Sequence, residues 1–126
     1  IMPSANPDGF ERTREGMCDN TPGRNNANKV DLNRDFPDQF DKSINRQNMF
    51  NGRQIETVAI MNWILSNKFV LSANLHGGAV VASYPYDDSK AHEIEGYYSP
   101  APDDSVFKHL ALTYSKSHKT MHKGNL

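Results

Sequence analysis

Arg24 is followed nine residues later by Asn33 and Arg34, within the run Asp31-Leu32-Asn33-Arg34. A guanidinium is a planar fork of donors that meets a carboxylate through two parallel hydrogen bonds, and an amide adds a further directed donor. Two arginines and an asparagine on one loop are the parts needed to hold a substrate carboxylate and to stabilise a developing oxyanion. The same residues admit a plainer reading. Both arginines could be solvated, or paired with the nearby Asp31, Asp35 and Asp38 in surface ion pairs that contribute little.

His76 closes the apolar run Phe69-Val70-Leu71-Ser72-Ala73-Asn74-Leu75 and precedes Gly77 and Gly78. A histidine just beyond the carboxyl end of a strand is placed to be a metal ligand or a base, and glycines there allow close approach. It could equally be a hydrogen-bonded structural residue, since catalytic zinc takes three protein ligands. In Tyr84-Pro85-Tyr86-Asp87-Asp88, a carboxylate could receive a cationic side chain of a ligand, or be a solvated turn acid. His92-Glu93-Ile94-Glu95 spells H-x-x-E but falls in a polar stretch and reads as a loop. His118 and His122 stand four apart without the glutamate of H-E-x-x-H, and read as complements to a helix C-terminus.

Elements must carry these groups. Asn6-Pro7-Asp8-Gly9 and Thr21-Pro22-Gly23 are turn signals, and residues 15–50 read as an extended, turn-rich segment of the kind that carries function. Apolar residues at 55, 58, 59, 61, 64 and 65 predict a helix over 53–66 with one buried face. Residues 69–75 and 79–84 predict two strands, and 87–102 a polar loop. Asp103 and Asp104 suit the start of a last helix whose stripe is Val106, Phe107, Leu110, Ala111 and Tyr114. Helix, strand, strand, loop and helix predict an α/β layered domain.

Fifteen acidic residues against fourteen basic ones leave a formal net charge of −1, which offers no general field for nucleic acid or an anionic membrane. No apolar run approaches the roughly 20 residues that span a bilayer. Cys18, the single cysteine, cannot form an internal disulfide or a zinc knuckle, and reads as a half-cystine or an inert thiol. An opening on Ile1 and a close on Lys123-Gly124-Asn125-Leu126 suggest a piece of a longer chain.

Four motifs occur in one order: Asn6-Pro7-Asp8-Gly9-Phe10, Gly23-Arg24-Asn25-Asn26, Asp31 to Phe40 (DLNRDFPDQF), and Ser72-Ala73-Asn74-Leu75-His76-Gly77-Gly78. Together they resemble the regulatory subfamily of zinc metallocarboxypeptidases, the group of carboxypeptidases D, E, M and N. The resemblance implies a three-layer α/β/α sandwich around a mixed sheet, with residues 1–126 as a middle part of one catalytic domain, incomplete at both ends. It implies Zn2+ as cofactor with His76 as one ligand, Arg24 on the scissile carbonyl and its oxyanion, Asn33 and Arg34 on the substrate's terminal carboxylate, and Asp87 in the pocket that selects Lys or Arg. The partners implied are peptide or protein C-termini ending in Lys or Arg. The setting implied is the secretory pathway, extracellular or membrane-anchored, with any anchor in parts not contained in this sequence.

Two departures stand out. Asp35 replaces an asparagine common in the family, adding a negative charge beside Arg34 that would weaken anion binding slightly. The family's H-x-x-E zinc ligands lie upstream of the N-P-D-G turn and its general-base glutamate downstream, both outside this sequence, so the segment alone is expected to be inactive. The alternative reading is a carboxypeptidase-like domain that has lost catalysis and only binds peptides.

Overall fold

Helix formation begins earlier than the turn signal suggests. In the computed structural model, which describes residues 1–16, 22–91 and 97–124, Asn6-Pro7-Asp8-Gly9 opens a short helix, α1 (Pro7–Glu11). The Asn6 side chain caps it by accepting the Gly9 N–H at 2.9 Å, and Pro7 sits in the first turn, where its missing N–H costs nothing. Asn6 also donates to the Gly23 carbonyl at 3.1 Å. A Cβ on Gly9 would collide with the Asn6 side chain and the Gly23 carbonyl oxygen, so this contact requires glycine. The first two motifs are thereby joined next to Arg24.

The described residues divide into two units, Ile1–Ser72 and Ala73–Leu126. In the first, residues 22–50 form a succession of turns made by short polar side chains, as their composition predicts. Asn26, Asp31, Asp38, Asp41 and Asn45 each accept the backbone N–H two residues ahead, at 2.7–3.0 Å. A single 3-10 turn, Leu32–Arg34, interrupts them. Helix α2 (Ile55–Ser66) follows, two residues shorter at its start than expected. Only Thr57 and Met61 of α2 are buried, while Ile55, Ile64 and Leu65 are more than half exposed. The expected buried face is thus covered only around Met61, where Met61, Ile64 and Leu65 line an open groove with Pro37, Ile44 and Met49. Trp63 and Phe69 meet edge to face, centroids 5.0 Å apart.

In the second unit, α3 (Asp104–Ser117) starts where the paired aspartates predict. Its half-buried positions are 104, 107, 108, 111 and 115, so of the expected stripe Phe107 and Ala111 turn inward while Val106, Leu110 and Tyr114 are exposed. The cause is what packs there. Val80, Val81, Ala82 and Tyr84, with Met121 from the 3-10 turn Met121–Lys123, line one groove with Lys108, Ala111 and Ser115. Tyr98 donates to Asp104 at 2.6 Å, and Lys108 pairs with Asp104 at 2.9 Å while its ammonium lies 4.6 Å from the Tyr98 ring centre. Hydrogen bonds from Tyr98 and Lys108 hold the Asp104 carboxyl below its ordinary pKa.

The helix ends at Ser117, so His118 and His122 do not share a helical face. His118 Nδ1 accepts the N–H groups of Thr120 and Met121 at 3.2 and 3.1 Å, closing the chain behind the helix. The His118 ring thus caps the turn that follows α3, and His122 Nδ1 lies 3.0 Å from the His118 carbonyl oxygen at the helix end.

The strands expected at 69–75 and 79–84 do not form, and among the described residues the one isolated β-bridge pairs Asn25 with Asp31. Val70 is 93% and Leu75 84% exposed. An apolar strand needs neighbours to take its N–H and C=O groups and to cover both faces. The described residues supply none, so among them no layer of the expected sandwich is formed. Cys18, Thr21 and His92–Glu95 lie outside the described residues.

Candidate substrate-binding site

Asp31 organises the arginine loop. Its Oδ2 accepts Arg24 Nε at 2.9 Å and Nη2 at 2.8 Å, and its Oδ1 accepts the Asn33 N–H at 3.0 Å. One carboxylate therefore fixes the plane of the Arg24 guanidinium and starts the 3-10 turn that presents Asn33 and Arg34. The bridge between Asn25 and Asp31 ties the two ends of the loop by backbone as well. The plainer sequence reading is correct for Arg24 to this extent: it is paired with Asp31. Asn33 and Arg34 are exposed, and Arg34 Nη1 touches the Asn33 carbonyl oxygen at 3.2 Å. Among the described residues no ion pair forms at Arg34.

Asp35 has a structural partner that its place in the sequence does not suggest. It is 9% exposed, and its Oδ2 accepts the Gln54 N–H at 2.8 Å, just ahead of α2. A carboxylate there meets unpaired N–H groups and the positive end of the helix dipole. Arg53 reaches back to the Asp35 carbonyl oxygen at 2.8 Å and completes the junction.

Burial raises the Asp31 pKa, but the Arg24 hydrogen bond, the Asn33 N–H and the charges of Arg24 and Arg34 outweigh it, and the carboxyl lies below its ordinary 3.8. A depressed carboxylate contributes stability that is complete above its unfolded pKa and is lost as pH falls through the folded one. With both side chains about 30% exposed (31% and 27%) the contribution is small. Asp31→Asn is expected to cost up to about 1 kcal/mol at neutral pH, and the gap is expected to close below pH 3.8. Urea midpoints measured across that range check this, and a gap independent of pH would refute it.

His76 and Asp87 lie in the second unit. The His76 ring is exposed and places Nδ1 against the Gly77 carbonyl oxygen. A carbonyl only accepts, so Nδ1 carries a hydrogen in this contact. Gly78, at φ 123°, takes a conformation that favours glycine. Asp87 is exposed, directly after half-buried Tyr86, whose N–H donates to the Ser99 carbonyl at 3.1 Å. The described residues do not by themselves make a zinc site: no three His, Cys, Asp or Glu among them come together to hold a metal, and His76 is one candidate where three are needed.

The first unit thus carries a loop in which Asp31 holds Arg24 and starts the turn that exposes Asn33 and Arg34. The zinc carboxypeptidase family (Peptidase M14) matches residues 1–125. The chain is 55% identical to carboxypeptidase D of Drosophila melanogaster over 128 aligned residues, covering 99% of the chain and 9% of that protein. It is 50% identical to carboxypeptidase M of Mus musculus over 126, covering 99% of the chain and 27% of that protein. It is 44% identical to the carboxypeptidase N catalytic chain of the same species, covering 98% and 32%. The chain belongs to the zinc carboxypeptidase family, an α/β family, and spans under a third of each of these relatives. The likeness to a catalytic domain of carboxypeptidase D, read from the four motifs, holds over nearly the whole chain.

Sequence reading passed over Asp31 as an organiser, and it gave neither Asn26 nor Asp35 a partner at the start of α2. Asp31 was legible in part, because an aspartate two residues before Asn33 is a turn signal. The partners of Asn26 and Asp35 are about twenty to thirty residues away, at Gln54 and Glu56, and no local pattern announces them.

Proposed function

We propose that the protein carrying this chain is a zinc-dependent exopeptidase that removes C-terminal Lys or Arg from peptides and proteins, with residues 1–126 forming part of one catalytic domain. The observation that carries the reading is the single carboxylate of Asp31 holding Arg24 and starting the turn that exposes Asn33 and Arg34. Asn33 and Arg34 grip the substrate's terminal carboxylate, which makes the enzyme an exopeptidase. Arg24, held in a fixed plane, supplies preorganised donors to the carbonyl oxygen as it becomes an oxyanion. His76 is one zinc ligand, and Asp87 receives the basic side chain. Zinc, when bound, supplies a Lewis acid and an activated water.

The relatives are named carboxypeptidases, which supports C-termini as substrates. The setting proposed is the secretory pathway or the cell exterior. The test uses the full-length protein and one peptide ending in arginine, offered with a free and with an amidated C-terminus. Free arginine is expected from the first and none from the second. Equal cleavage of both would remove the terminal-carboxylate role of Asn33 and Arg34. The 126-residue segment alone is expected to neither release arginine nor hold zinc one-to-one. Tight zinc binding by it would move the metal site to other residues, His92 and Glu95 first.

A further inference from the structure

We infer that Asn26 is a positioning residue that locks the loop bearing Arg24 and Asp31 to the start of α2; the inference rests on the oxyanion role proposed above for Arg24. Asn26 is 1% exposed, more buried than Leu32, Met61 or Ala101, the buried apolar residues. Its backbone N–H donates to the Val30 carbonyl at 2.9 Å, and its own carbonyl accepts Arg12 Nη1 at 2.8 Å and the Lys29 N–H at 3.0 Å. Its Oδ1 accepts the N–H groups of Asn28 and Val30, each at 3.0 Å. Its Nδ2 donates to Gln54 Oε1 at 2.9 Å and to both carboxylate oxygens of Glu56 at 3.2 Å.

The side chain is thus an acceptor toward the loop through one atom and a donor toward the helix through another, a division of roles that an amide offers and a carboxylate, a single hydroxyl or an alkyl group does not. A buried amide so completely engaged rigidifies what it joins. Val30 immediately precedes Asp31. With the Val30 N–H and C=O both held by Asn26, the backbone enters Asp31 in one register, and Asp31 in turn holds Arg24 by two N–H groups. Glu56 stands in the first turn of α2, where its charge suits the helix dipole, so the far end of the lock is a rigid element. Catalytic donors tolerate little displacement, and a group far from the chemistry can matter through that alone.

Asn26→Asp is the informative substitution. It is nearly isosteric and keeps the acceptor for Asn28 and Val30, but it turns an oxygen toward the Glu56 carboxylate, so two like charges share one site. Adding Glu56→Gln removes the second charge and restores a donor. In the full-length protein, with a peptide ending in arginine, N26D is expected to lower kcat about 10- to 100-fold with KM within about 3-fold and zinc content unchanged, and N26D/E56Q to recover most of the loss. Should N26D fail to fold, E56A is read in its place, with kcat expected about 3- to 10-fold down.

Unchanged kcat, a loss in KM alone, or a double variant no better than N26D would overturn the positioning role. So would a lowered Tm with wild-type kcat, which marks a residue that only supports folding. A wild-type protein that releases no C-terminal residue would instead overturn the function proposed above, and this inference with it.

Discussion

Arg24→Ala is expected to lower kcat on a peptide ending in arginine by about 100- to 1000-fold, with zinc content and KM little changed. The size follows from the role proposed for the guanidinium, on the carbonyl oxygen as it becomes an oxyanion. A donor aimed at charge that develops only in the transition state contributes little to ground-state binding, so its loss falls on kcat. Asp31 makes the effect large, because a side chain held by two N–H groups at 2.8 and 2.9 Å needs no reorganisation when the charge appears. Lysine at position 24 is expected to rescue poorly: it keeps the charge but loses the planar fork that Asp31 holds. Steady-state kinetics of R24A and R24K beside wild type, with metal analysis, decide the matter. A loss confined to KM would move Arg24 to ground-state binding of the substrate, and a loss under about threefold would remove it from the chemistry.

The parts of this chain that the sequence made legible are those whose cause is local. Asp38, Asp41 and Asn45 each bend the chain by accepting an N–H two residues on, and a run rich in such residues reads as turns without reference to anything distant. The spans of α2 and α3 were legible for the same reason, since period and an acidic first turn are properties of the segment itself. Which face a helix buries depends on its neighbours. For α3 the inward positions include Lys108, Ala111 and Ser115 because Val80, Ala82, Tyr84 and Met121 lie there. Strands are the extreme case. Phe69–Leu75 has the right residues, but a ladder requires a second strand, and none stands beside it among the described residues. The candidate site divides in the same way. Arg24, Asn33 and Arg34 were legible as donor types at short spacing. Asn26 and Asp35 look like ordinary loop residues until the start of α2 is brought against them.

Asp87→Ala is expected to lower kcat/KM for substrates ending in Arg or Lys by about 2–4 kcal/mol while leaving substrates ending in Leu or Phe nearly unaffected. Asp87 is exposed in this chain, so its carboxylate is hydrated before a substrate arrives. A lysine or arginine side chain entering over it excludes that water and gains a counter-charge in a drier surrounding, where the pair is stronger than on an open surface. Removing the carboxylate leaves the incoming cation desolvated and unpaired, and that penalty sets the size of the effect. Apolar terminal residues bring no charge and lose nothing. Zinc content should be unchanged, since Asp87 is not proposed as a ligand. Asp88 is the internal control: its Oδ1 accepts the Ser89 N–H at 2.7 Å, which commits it to the turn, and it is exposed as well. Asp88→Ala is expected to change kcat/KM less than about twofold on either substrate class, the size of an ordinary surface substitution. Equal losses from the two variants would show that the turn as a whole, not the Asp87 charge, supports activity. An Asp87→Ala enzyme that still prefers basic termini by its original margin would place the counter-charge elsewhere and leave Asp87 a solvated turn acid.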